Sequence, residues 1–111
     1  MTFTDFSAYF KALRAVNPAI VTVDAAEGAF DEEGNSVTVD ETALQAAYDL
    51  AVVELQWESL RRKRDELITE TDWWASSDRT MTAEQTAYRQ ALRDLPANTT
   101  DPANPVWPTK P

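Results

Sequence analysis

Apolar positions recur along this chain with two different periods, and the changes of period mark its elements. Between Asp40 and Glu70 there is no Gly or Pro, and Ala, Leu, Glu, Gln and Arg dominate, which predicts one long helix. Asp40 is placed to cap it by accepting amide protons of the first turn, and Glu41 adds an acid where the helix dipole favours one. Stepping 100° per residue gives this helix two apolar stripes. Leu44, Ala47, Tyr48, Ala51, Val52 and Leu55 form the first, confined to the first half. Ala46, Leu50, Val53, Trp57, Leu60, Leu67 and Ile68 form the second, on roughly the opposite face and running to the helix end. A helix apolar on two sides needs a covering layer on each, supplied by this chain or by a partner.

The flanking segments suggest where cover comes from. Phe6, Tyr9, Phe10 and Leu13 have helical spacing, with Thr4 or Asp5 as cap and Asn17-Pro18 as stop, so an N-terminal helix with an aromatic core stripe is expected. Residues 19–24 and 36–39 alternate with period two and are rich in Val, Ile and Thr, while both glycines of the chain, Gly28 and Gly34, lie between them. That pattern predicts a small antiparallel meander with a middle strand near Ala29-Phe30. Two or three short strands need an apolar support, and the first stripe of the long helix follows directly. Thr71 to Asp78 breaks the helical period. Thr82-Ala83-Glu84-Gln85 then fits a capping box, opening a helix with Tyr88, Ala91, Leu92 and Leu95 on one stripe and a stop at Pro96. The Pro-rich remainder has Val106 and Trp107 as its large apolar residues. The expected fold is α+β and mainly helical: a short N-terminal helix, a small antiparallel β-meander, a long central helix, an antiparallel C-terminal helix and an extended tail. Residues 1–39 would hold the first helix and meander and 40–111 the rest, in one compact unit.

Composition narrows the function. The 111 residues carry ten basic and nineteen acidic side chains, a net charge of −9 that repels phosphate backbones and anionic lipid. Neither nucleic acid nor a membrane is an expected partner. With no His and no Cys, the chain has no imidazole or thiolate for a zinc site, a Ser-His or Cys-His pair, or a near-neutral proton shuttle. Asp72 with Asp78, or Asp31 with Glu33, are the carboxylate pairs a glycosidase would need, and no other feature supports that chemistry. The acidic run Asp31-Glu32-Glu33 lacks the spacing of an EF-hand and is read as a solvated turn. No catalytic, cofactor-binding or metal-ligating residue is assigned. No basic region precedes an apolar run, so a soluble protein of the cytosol is expected.

Four separated blocks then occur in a recognisable order: Trp57, Leu60-Arg61, Arg64-Asp65 and Leu67; Thr71-Asp72-Trp73 with Asp78; Tyr88 to Pro96; and Val106-Trp107-Pro108-Thr109-Lys110-Pro111. Together they resemble the phage tail assembly chaperone family, small proteins encoded near the tail and tail-fibre genes of tailed bacteriophages. The resemblance runs from Trp57 to the end. At Trp74 the chain departs from the family pattern, which has a small or polar residue there, and residues 1–39 lie outside the likeness. The resemblance implies a non-enzymatic chaperone that binds a tail, baseplate or tail-fibre protein in the host cytoplasm during assembly. The alternative is a stoichiometric virion component at the baseplate or fibre attachment.

Several side chains are candidates for that contact. Arg64 lies inside the second stripe between Leu60 and Leu67, so its guanidinium needs a partner: Asp72, Asp78 or Asp94 could accept it, or the faces of Trp57 or Trp73 could stack on it, with Arg64 and Asp72 taken as the structural pair. Arg61, Arg89 and Arg93, with Arg62 and Lys63, make a basic patch suited either to an acidic partner or to local helical pairs. Two adjacent indoles cannot readily face one core, so of Trp73 and Trp74 one is expected inside and one at a partner surface. Trp107 lies between Pro105 and Pro108, in a segment biased to extended geometry, where it would anchor the tail to the chain's own hairpin near Trp57 or Trp73, or to a neighbouring tail protein. Self-association through the Leu44 to Leu55 region is a further expectation.

Overall fold

A computed structural model describes residues 3–24 and 27–111. The elements in order are α1 (Phe6–Val16), β1 (Thr22–Asp24), β2 (Gly28–Phe30), β3 (Ser36–Val37), α2 (Glu41–Glu70), a 3-10 turn (Asp72–Ala75) and α3 (Ala83–Asn98). The α+β, mainly helical architecture is as expected. The chain divides into two compact units, Met1–Leu55 and Gln56–Pro111, with the division inside α2.

In the first unit, Asp5 caps α1 by accepting the Ala8 amide at 3.1 Å, and the Asp5 amide in turn donates to the Tyr48 hydroxyl at 3.1 Å. Asp40 caps α2 as expected, its carboxylate accepting the Ala43 amide at 2.9 Å. The sheet is an antiparallel meander in the order β1-β2-β3, with Val23 opposite Ala29 and Ala29 opposite Val37. Its core joins Ala8, Ala12 and Leu13 of α1 to Ile20, Ala29 and the first stripe of α2, Leu44, Tyr48 and Ala51. The aromatic stripe of α1 is corrected: Phe6 is exposed and Phe10 only half-buried, while the small residues Ala8 and Ala12 are fully covered. Small side chains let α1 lie close to its neighbours, and Tyr9 instead stacks on Phe3, which meets Tyr48 edge-on. The second stripe is uncovered in this unit. Leu50 is 67% and Val53 44% exposed.

In the second unit, α3 packs through Tyr88 and Leu92 on Trp74 and on Leu67 and Ile68 near the end of α2. Thr82 and Gln85 form the expected capping box. The helix does not stop at Pro96 but continues to Asn98, closed by the Thr99 hydroxyl donating to the Leu95 carbonyl at 2.6 Å. A proline so near the end removes a single amide from the ladder, which the last turn tolerates. Trp74, Tyr88 and Leu92 form the core, with Leu67, Ile68, Met81 and Trp107 packed against it. Among the described residues, no helix is long and apolar enough to cross a membrane.

Two aspartates organise turns by accepting from the backbone that follows. Asp31 takes the amides of Glu33 and Asn35 at 3.0 and 2.8 Å, beside Gly34 at φ 84°. Asp101 takes the Ala103 amide at 3.0 Å and the Asn104 side-chain amide at 2.8 Å. The bonds from Asn35 and from Asn104 hold the respective carboxyls below their ordinary value of 3.8. A carboxyl lowered in the folded state stabilises fully above its unfolded value and loses that contribution as pH falls through the folded one. Carboxyl NMR titration is expected to place both midpoints below 3.8, and a midpoint at or above it would mean that the turn does not persist in solution.

Candidate functional site

The C-terminal end of α2 should leave carbonyls unpaired, and a buried cation closes it. Thr71 is fully buried, and its hydroxyl donates to the Leu67 and Ile68 carbonyls at 3.2 and 3.1 Å. Arg89 of α3, only 5% exposed, donates to the Ile68 carbonyl at 3.1 Å, to the Thr71 hydroxyl at 2.8 Å and to Asp72 at 3.1 Å. Its Nε is buried without a partner. The guanidinium thus ties the last turn of α2 and the start of the 3-10 turn to the middle of α3.

This arrangement corrects three expectations. Asp72 pairs with Arg89, not Arg64. Arg64 is half-buried and turns its head to its neighbour Asp65 at 2.9 Å, because a long aliphatic stem lies on apolar surface while the charge reaches water. Arg89, read as part of an exposed basic patch, is consumed by the fold. Trp74 is 4% exposed and packs on Tyr88 with ring centres 6.0 Å apart, so it too is removed from any partner surface.

The indole left outside is Trp73. At three residues per turn, neighbours in a 3-10 turn point about 120° apart, so burying Trp74 turns Trp73 outward. It is 55% exposed, meets Trp74 edge-on, and carries the Arg79 guanidinium 4.5 Å from its ring centre. Arg61 and Arg93 are exposed, Arg61 lying 5.7 Å from the Trp57 ring centre. Trp107 is half-buried against the core cluster, with the Lys63 ammonium 4.6 Å from its ring centre. Its dock is therefore on the chain's own helices, as one of the two readings expects, at the Trp74–Tyr88–Leu92 cluster next to Trp73. Lys110 pairs with Glu70 and lies 5.8 Å from the Trp74 ring centre, fastening the tail a second time. Arg79 and Lys110 are given no contact by the sequence because loop and tail residues have no periodicity to place them, whereas Lys63, a member of the basic patch on α2, lies over the tail indole. Arg89 did have a signal, lying one residue from Tyr88 and three from Leu92 on the α3 stripe.

Arg89→Met is expected to destabilise the protein by about 2–4 kcal/mol, since it removes the bonds of a buried guanidinium to Ile68, Thr71 and Asp72. Arg64→Ala should cost less, about 1 kcal/mol, mostly through the lost packing of its stem, since the ion pair with the exposed Asp65 is screened. Urea titrations of the two variants check both, and equal effects would contradict the assignment. In the same assay Trp107→Ala is expected to cost about 1–3 kcal/mol through lost burial, whereas no change would show that the tail is not anchored there.

No curated protein and no solved structure matches the chain. Residues 57–111, which include the Arg89 tie, both adjacent indoles and the docked tail, match the family of phage tail assembly chaperone proteins, over the same span where the sequence resembles it.

Proposed function

We propose that this chain is a non-enzymatic assembly chaperone that binds a phage tail, baseplate or tail-fibre protein in the host cytoplasm and leaves before the particle is complete. What carries this function is the family match over residues 57–111. The surface supports it. Each unit presents large apolar side chains to solvent, Leu50 and Val53 in the first and Trp73 in the second. Exposed anchors of this kind suit a protein whose task is to cover apolar surface on another. The net charge of −9 keeps such a protein dispersed while those anchors remain open. Of the residues proposed for partner contact, Trp73, Arg61 and Arg93 remain accessible. Self-association through the uncovered Leu50 and Val53 is the competing use of that stripe.

Affinity capture from phage-infected cells, with identification of what is retained, is expected to recover a tail component. Leu50→Glu and Trp73→Ser should each reduce the recovery without lowering thermal stability. Mass spectrometry of purified virions supplies the second readout: the chain is expected to be absent, and a fixed copy number per particle would make it a structural component instead.

A further inference from the structure

The second unit contains a groove of about 820 Å³ between α3 and the tail. Ala87, Gln90, Ala91 and Asp94 line it from α3, and Asp101 and Val106 from the tail. We propose that this groove takes a cationic amphipathic helix, belonging to the tail protein that the chain serves. The identity of that partner rests on the assembly function proposed above. The shape and charge of the groove do not.

Three features select this occupant. Ala87 and Ala91 are exposed and one turn apart on α3, so a second helix approaches to near the lower end, about 8 Å, of ordinary interaxial distances. Val106 is 84% exposed although its neighbour Trp107 is docked, which leaves an apolar knob at the tail side of the groove. Asp94 and Asp101 are the charged residues of the lining, which contains no Lys or Arg. Both carboxylates are held in place, Asp94 by the Gln90 side chain at 3.0 Å and Asp101 by its own turn. A purely apolar occupant would strand them, whereas Lys or Arg beside its apolar stripe pairs with them. An extended strand is disfavoured because it needs a backbone edge. The amides of α3 are engaged within the helix, and Pro102, Pro105, Pro108 and Pro111 give the tail few to offer. A second copy of this chain would bring the same two aspartates and another net charge of −9 against the groove.

The test uses the full ¹⁵N-labelled chain and two synthetic helical peptides, one of Leu, Ala and Lys and one with each Lys replaced by Glu. The Lys peptide is expected to shift the backbone resonances of Ala87, Gln90, Ala91, Asp94 and Val106, and the Glu peptide to leave them unmoved. Ala91→Gln, which fills the close approach on an exposed helix face, should weaken Lys-peptide binding by about tenfold or more at unchanged thermal midpoint. Glu84→Gln, an acid of the same helix outside the groove, should bind as the parent does. Shifts that map elsewhere, an Ala91→Gln chain that binds equally well, or self-association through this face would each overturn the proposal. Capture from infected cells separates it from the assembly function. If Ala91→Gln retains tail proteins as well as the parent, the groove is wrong and the function stands. If the peptide binds the groove but no tail protein is ever captured, the partner assignment and the assembly function both fall.

Discussion

The second unit depends on one buried cation. Arg89 reaches the Ile68 carbonyl, the Thr71 hydroxyl and Asp72 at once, and each contact settles a different part of the local fold. The carbonyl bond neutralises the negative end of α2, the hydroxyl bond locks the residue that ends it, and the carboxylate bond holds the first residue of the 3-10 turn. With that turn set, the two indoles have no freedom to exchange roles. Trp74 faces Tyr88 and Trp73 faces water. The exposed anchor is therefore a consequence of the buried tie. Asp72 is largely exposed, with 60% of its side-chain surface in water, so its ionic contribution is screened and the backbone and hydroxyl bonds carry most of the effect.

The first unit solves a different problem with the same helix. Its meander and α1 cover Leu44, Tyr48 and Ala51, and the aromatic and cap contacts of Tyr48 join α1 to α2. Three short strands have little apolar surface to give, and one helix face absorbs it. Leu50 and Val53 on the other face then have no cover among the described residues. For a stable protein this is a liability, but for one that shields another polypeptide it is a means of contact. Net negative charge is the feature that makes the liability tolerable, since like-charged copies approach each other poorly.

Much of this was legible in the residues. The absence of Gly and Pro from Asp40 to Glu70, the capping box at Thr82 and the two glycines between β-branched runs each carry a local cause that survives folding, and the elements stand where those causes put them. The misreadings share a different origin. Arg64 and Arg89 both interrupt apolar stripes, and only the tertiary partner decides which guanidinium is buried. Arg64 has an acid next door and stays at the surface, whereas Arg89 faces a helix end that supplies acceptors. The α1 stripe holds at Leu13 and Tyr9 but not at Phe6, because periodicity ranks large apolar residues as core while packing also took in Ala8 and Ala12. Pro96 predicts a stop, yet it lies in the last turn, where its missing amide costs little and the helix runs on to Asn98.

The tail shows how a segment without periodicity acquires a defined face. Pro105 and Pro108 bracket Val106-Trp107 and restrict the chain to extended geometry before it docks, so ordering it costs less entropy than an unrestricted segment would lose. Trp107 then settles on the Trp74–Tyr88–Leu92 cluster beneath Lys63, and Lys110 closes on Glu70. In extended backbone, adjacent side chains point to different sides, so fixing Trp107 inward also fixes Val106 outward. The exposed valine is thus held at one position by the burial of its neighbour, and the groove beside α3 keeps a constant shape only while the tail stays docked. Trp74 supplies part of the surface on which that docking occurs.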